Sequence, residues 1–139
     1  MTLRTRLDKG AQIRKRAEDD ALAGLVRARA TVESARDRLA QAVEATRRDA
    51  RAAGPVELWH LDEMAHRRAL QAVRSAESEV NEAARGEASA RDGYVAARQE
   101  KEMVCRVQER RRSELVVQLE KRERRDADEI ATLRFNTAR

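Results

Sequence analysis

The 139-residue sequence has few of the residues that a compact globular core requires. Aromatic residues make up 2% of it, and it contains one Pro, one Cys and five Gly. Much of its 41% hydrophobic content is alanine, which buries little area per residue, so too few large apolar side chains remain to fill a globule of this length. The single cysteine excludes an intrachain disulfide and favours a reducing compartment.

The sequence also has no long hydrophobic run. No segment comes near the roughly 18 consecutive apolar residues of a transmembrane helix. The first residues, MTLRTRLD, lack the apolar centre of a signal peptide. We therefore expect a cytoplasmic protein that does not insert directly into a membrane.

What the sequence has in abundance is charge. Charged residues make up 40% of it and the net charge is +5, whereas an average domain has about 25% charged residues. Frequent Ala, Glu, Arg and Leu with heptad periodicity indicate long helices or a coiled coil. Most of the charge is then expected to lie on solvated helix faces.

Two heptad patterns flank Gly54-Pro55, the one Gly-Pro sequence in the chain. Gly54 suits the position after a helix end, and Pro55 suits the first turn of the next helix. The apolar positions before the break are Leu25, Ala28, Val32, Ala35, Leu39 and Ala42, and those after it are Ala69, Val73, Ala76, Val80 and Ala83. If the chain folds back at Gly54, residues whose numbers add to 108 face each other, and every large side chain meets a small one.

This pattern predicts an all-α fold, a long antiparallel two-helix coiled-coil hairpin with a C-terminal helical overhang. We expect one domain over residues 1–139, with a first helix at about 2–52, a bend at about 53–57 and a second helix at about 58–136.

The second helix is longer than the first, so part of it is predicted to have no counterpart. In the register described, residues 105–139 form an overhang. It keeps an apolar stripe that consists of Leu115, Val116, Leu119, Ile130, Leu133 and Phe135. Because helices gain most of their stability by burying such a face, the stripe predicts a partner, either a second copy or another protein. A register slipped by one heptad would not remove the overhang.

Motifs for catalysis or metal binding are weak in this sequence. His60, Glu63 and His66 form H-x-x-E-x-x-H, whereas zinc-protease helices place two His four residues apart with the Glu beside the first. Ordinary polar helix positions explain them better. No phosphate-binding loop and no convergent Ser/His/Asp set is expected in a two-helix rod. We predict a non-enzymatic protein with no catalytic residues, no metal and no cofactor.

Basic runs at residues 110–112 and 121–125 raise the question of nucleic acid. Acidic residues are interleaved with them, among them Glu109, Glu114, Glu120 and Glu123. A surface that follows phosphates is usually purely basic and often carries stacking aromatics. We therefore expect no nucleic-acid partner.

Trp59 lies just after the predicted bend, beside Leu58. Two interpretations are open. The indole caps the end of the seam, or it is an exposed anchor for a partner, since Trp is enriched at binding hot spots.

Basic residues outnumber acidic ones in residues 1–52 and in residues 98–139, so the open end of the hairpin, which carries both termini, is expected to be basic. Unequal antiparallel helices, this basic open end and the C-terminal run EKRERRDADEIA at 120–131 together resemble the small coiled-coil stalk proteins of type III secretion and flagellar export, the FliJ/YscO family. The resemblance covers the whole chain. It implies a non-enzymatic stalk whose termini enter the hexameric export ATPase, and whose body or bend meets the export-gate membrane protein and secretion chaperones. It also implies a cytoplasmic location, peripheral to the inner membrane.

On this resemblance the overhang would contact the ATPase and the bend would contact the other partners. The expected ATPase-binding residues are Arg110, Arg111, Arg112, Leu115, Val116, Leu119, Arg122, Arg124, Arg125, Ile130 and Leu133. Leu58 and Trp59 are the expected binding residues at the bend. The alternatives are a generic coiled-coil adaptor or self-associating scaffold and, third, a nucleic-acid-associated hairpin.

Overall fold

A computed structural model of the protein describes residues 7–47 and 55–138, and within them it confirms the all-α hairpin. Helix α1 spans Leu7–Ala45 (39 residues) and helix α2 spans Val56–Thr137 (82 residues). The described ranges contain no strand. Residues with high helix propensity fill both helices, and no proline interrupts them. Residues 2–6, where the first helix was expected to begin, lie outside the described ranges.

The helix ends next to the bend differ from the predicted ends. Helix α1 ends at Ala45 rather than near residue 52. The Thr46 amide donates to the Val43 carbonyl at 3.0 Å, and the Thr46 hydroxyl donates to the same oxygen at 2.6 Å. This bond spans three residues, so the last turn tightens and the helix stops. Helix α2 begins at Val56, slightly before the predicted start, and residues 53–54 of the predicted bend lie outside the described part.

The molecule contains two compact units, and each includes parts of both helices. Unit 1 contains residues 1–18 and 97–139, and unit 2 contains residues 19–96.

Unit 2 contains the buried apolar seam. Its buried hydrophobic residues are Leu25, Val32 and Ala35 of α1 and Ala76 of α2, with Ala35 only 2% exposed. The other predicted seam residues of this unit are half-buried, namely Ala28, Leu39, Ala42, Ala69, Val73, Val80 and Ala83. Every predicted seam position therefore lies on the packed face, and the small residues allow the helix axes to approach closely.

The pairing of the helices in unit 2 is shifted from the predicted register. Arg38 Nη1 lies 2.8 Å from Glu79 Oε2, and Arg29 Nε lies 3.4 Å from Glu87 Oε1. The residue numbers of these pairs add to 117 and 116, whereas the predicted pairing required 108. Because an antiparallel heptad seam can shift only in steps of seven, the facing core residues have numbers that add to about 115.

The shifted register keeps the large-to-small matching. Leu39 now faces Ala76 instead of Ala69, and Ala35 faces Val80 instead of Val73. Both seams alternate large and small residues at heptad intervals, so a shift of seven replaces each side chain by one of the same class. The predicted complementarity is retained, with different partners.

A disulfide can test the register directly. Ala35→Cys with Val80→Cys, in a chain that also carries Cys105→Ser, should form an intrachain disulfide in the monomer. Ala35→Cys with Val73→Cys should not, because one heptad moves a residue by about 10 Å along the helix, and a disulfide needs Cα atoms about 4.4–6.8 Å apart. Non-reducing electrophoresis with peptide mass spectrometry measures both. Efficient disulfide formation between residues 35 and 73, and not between 35 and 80, would show that the helices pair in the predicted register, in which facing residue numbers add to 108. Disulfides formed only between chains would indicate a swapped or parallel dimer.

Candidate partner-binding surfaces

In unit 1, polar contacts hold the first part of α1 against α2. Lys101 Nζ donates to Glu18 Oε2 at 2.6 Å, and the Glu18 side chain is 13% exposed. Arg14 forms an ion pair with Glu100. These residues occupy the stretch where the heptad pattern brings α1 and α2 together, but charged groups replace the apolar ones of unit 2.

The N-terminal end of α1 reaches further along α2 than predicted. Asp8 accepts a hydrogen bond from the Gln108 amide, and Arg112 Nη2 donates to the same carboxylate oxygen at 3.1 Å. The predicted overhang began at residue 105, where the first helix was expected to run out. The shifted register moves that start, so Gln108 and Arg112 belong to the paired part of α2.

Beyond this contact, α2 is exposed on all sides. Every described residue from 116 to 138 is exposed, whereas Leu115 is half-buried. Of the apolar residues predicted to bind a partner, Val116, Leu119, Ile130 and Leu133 are between 43% and 60% exposed. The exposed apolar overhang therefore occurs where the sequence predicted it, but it is shorter.

The exposed stripe continues the face of α2 that packs against α1. At about 100° per residue, Leu115, Leu119, Ile130 and Leu133 fall within about 60° of one another around the helix. The half-buried residues earlier on α2 that fall on the same side are Ala97, Lys101, Val104 and Gln108. The overhang is thus an uncovered extension of a helix-packing face.

The predicted arginines divide into two groups. Arg111 pairs with Glu114 on its own helix at 3.3 Å, and Arg112 pairs with Asp8. The second group is exposed and makes no ion pair with another described residue; its members are Arg110, Arg122, Arg124 and Arg125. The charges of the second group are available to an outside partner.

At the other end of α2, the first turns expose a cluster of apolar side chains. Trp59 is 46% exposed and Leu58 is 56% exposed. The exposure of Trp59 favours the anchor interpretation over the cap. Val56, Leu61 and Met64 are exposed as well, and they were not among the binding residues predicted from the sequence. Their density of large apolar residues over nine positions was the signal that could have found them.

The remaining motif residues show no built site. His60 is exposed, and Glu63 and His66 are half-buried. No group of His, Cys, Asp and Glu among the residues that the structure describes is arranged to hold a metal ion. Cys105 is an exposed free thiol.

The family model of the flagellar FliJ protein matches residues 3–139. The chain belongs to the FliJ family. No curated protein and no solved structure matches it.

FliJ proteins are non-enzymatic stalk components of the flagellar and type III export apparatus. This FliJ family member therefore has an export-apparatus role and is not an enzyme. Neither helix, over its described residues, has a segment long and apolar enough to cross a membrane.

Proposed function

We propose that this FliJ family member acts as the stalk of a hexameric export ATPase and binds the ring through the α2 overhang. The observation that carries the proposal is the row of exposed apolar residues beyond Leu115, which continues a helix-packing face and consists of Leu119, Ile130 and Leu133. An apolar stripe along one side of a helix is normally buried against another surface.

Apolar burial would supply the affinity. Val116, Leu119, Ile130 and Leu133 each retain about half of their surface. Burying that remaining area is worth on the order of 1 kcal/mol per side chain. Spread over about 25 Å of helix, the stripe suits an elongated cavity such as the mouth of a ring.

The exposed arginines would orient the stalk. Arg110, Arg122, Arg124 and Arg125 make no ion pair with the described chain, and guanidinium groups bind carboxylates in a defined bidentate geometry. Carboxylates on the ATPase would then fix the rotation of α2 within the ring. Such contacts speed association more than they add affinity, and salt weakens them.

The stalk would perform no chemistry. A helix that binds one arrangement of ring subunits more tightly than another raises the population of that arrangement by its differential affinity. Stimulation of ATP hydrolysis and ordering of the ring assembly both follow from this single effect.

The start of α2 would serve the second set of partners. Leu58 and Trp59, with Val56, Leu61 and Met64 around them, form an exposed apolar cluster that suits the export-gate membrane protein or a secretion chaperone. Binding there would place the protein at the inner membrane without insertion.

Trp59→Ala should weaken binding to the cytoplasmic part of the export gate by about tenfold or more, as loss of a hot-spot Trp typically does. The helix content and the melting temperature should stay unchanged, because Trp59 is half exposed and lies outside the buried seam. Leu70→Ala is the matched control, since Leu70 is 45% exposed but lies away from the cluster. Calorimetric titration and circular dichroism measure the two effects. A lowered melting temperature with unchanged binding would show that the indole is a structural cap.

The experiment that tests the stalk proposal compares the ATP hydrolysis rate of the export ATPase alone, with the full chain, and with a chain that ends at Val116. The generic adaptor function takes its place if the full chain neither binds the ATPase nor changes its rate.

A further inference from the structure

The contact within unit 1 covers the face of α2 that the overhang extends. Residues Leu7–Glu18 of α1 form this contact, and we call them the strap. We propose that the strap is a displaceable, autoinhibitory segment, which competes with the partner of the overhang for one continuous face of α2. The identity of that partner as the export ATPase rests on the proposed function above.

The strap is held without a buried core. None of its residues is buried, and those that are half-buried include only Leu7 and Ala11 as apolar side chains, while Ile13 is 64% exposed. The strap continues without a break into the rest of helix α1, which spans Leu7–Ala45. Its attachment to α2 rests on side-chain contacts that are mainly polar.

Two carboxylates of the strap form ion pairs with basic residues of α2. Glu18 accepts from Lys101 at 2.6 Å and Asp8 accepts from Arg112 at 3.1 Å. The Glu18 and Lys101 side chains are 13% and 33% exposed, so this pair is partly buried, whereas Arg112 is 50% exposed. Exposed ion pairs contribute little to stability and weaken as salt screens them, and partly buried pairs are screened less. The strap should therefore detach more readily than the α1 residues of the apolar seam in unit 2.

Displacing the strap would lengthen the binding face. The α2 residues that it covers are Ala97, Lys101, Val104 and Gln108, and Leu115 and Leu119 follow on the same side of the helix. Lys101 and Arg112 lie about 16 Å apart along α2. A partner surface with carboxylates at that spacing, on either side of an apolar strip, would replace Asp8 and Glu18. The strap therefore covers this face of α2 with the contacts that an acidic partner would make, namely carboxylates on Lys101 and Arg112.

Hydrogen exchange of the full chain tests the attachment of the strap without the partner. Asp8→Asn with Glu18→Gln should speed exchange in residues 7–18 and 97–108 by about fivefold, with no change around residues 25–39. Raising the salt from about 0.05 M to about 0.5 M should do the same to the unmodified chain. Asp19→Asn with Asp20→Asn changes the net charge equally at exposed carboxylates and is the control. Equal hydrogen-exchange rates in all variants and at both salt concentrations would refute the proposal that the strap is displaceable.

A reversible lock tests the competition. The contacts on either side place Ala11 opposite Val104, so Ala11→Cys with Val104→Cys and Cys105→Ser should close the strap on oxidation. The oxidised chain should bind the ATPase about tenfold more weakly, and reduction should restore full binding. The pair Ala35→Cys with Val80→Cys locks unit 2 and should have no effect.

The two sets of results separate the inference from the proposed function. Loss of binding on locking 11 to 104, with recovery on reduction, supports the strap. Equal ATPase binding by the locked and reduced chains shows that the strap does not compete and overturns its autoinhibitory role. If the reduced chain itself does not bind the ATPase, the stalk proposal fails, while the hydrogen-exchange result still decides whether the strap is displaceable.

Discussion

A chain that ends at Val116 should fold as the full-length hairpin does, yet lose nearly all stimulation of the export ATPase. The cut removes residues that are exposed throughout the described part, so little packing free energy is lost. It also removes most of the apolar stripe and Arg122, Arg124 and Arg125, three of the four predicted ATPase-binding arginines that make no ion pair with another described residue. The hydrolysis rate of the ATPase, measured against stalk concentration, gives the loss, and circular dichroism gives the fold.

The position of this cut follows from the contacts in unit 1. A cut before Arg112 would remove the donor to Asp8 at 3.1 Å and would release the strap together with the overhang. Ending the chain at Val116 keeps that contact and isolates the effect of the overhang. Stimulation by the shortened chain at the full-length level would refute the role of the overhang and leave the adaptor interpretation.

Neutralising the arginines tests their proposed role in orienting the stalk separately from the burial of the apolar stripe. Arg122→Gln, Arg124→Gln and Arg125→Gln together should reduce stimulation and flatten its salt dependence, while the apolar stripe stays intact. The same loss of charge at the exposed residues Arg68, Arg74 and Arg85 of unit 2 should leave stimulation unchanged. An equal effect of both triple variants would mean that net charge alone steers the protein.

The seam could be predicted because heptad spacing determines which residues face the other helix. All eleven predicted seam residues, six between Leu25 and Ala42 and five between Ala69 and Ala83, are buried or half-buried. The register could not be fixed in the same way. Large and small residues alternate in both helices, so pairings one heptad apart match equally well, and the choice is left to flanking contacts such as Arg38 with Glu79 and to the length of the connection.

The binding surfaces were predictable to the extent that they are apolar. The stripe beyond Leu115 and the exposed Trp59 were found because unpaired apolar residues on a helix are unusual. The strap was missed because two of its four seam positions, Arg14 and Glu18, are charged. Glu18 and Lys101 fall on the heptad positions of their helices, but a search for apolar periodicity passes over them, and only the facing register reveals that they form a pair.

Exchanging a large and a small residue across the seam should show strong coupling in stability. Ala76→Leu should cost about 1–3 kcal/mol, because Ala76 is 7% exposed and the added atoms have no space. Leu39→Ala should cost about 2 kcal/mol through the cavity that it leaves. Since Leu39 faces Ala76, the double variant moves the large side chain to the other helix and fills that cavity. Its loss should be smaller than the sum of the two single losses by about 1 kcal/mol or more.

Urea unfolding of the four chains, followed through the helical circular dichroism signal, gives the coupling free energy. The control combines Ala76→Leu with Val32→Ala, the residue that would face Ala76 if paired numbers added to 108. In the structure these two lie about one heptad apart along the seam, or about 10 Å, so their losses should simply add. Coupling of residue 76 with residue 32 and not with residue 39 would show that the helices pair in the register predicted from the sequence, in which facing residue numbers add to 108. The strap would then face different residues of α2.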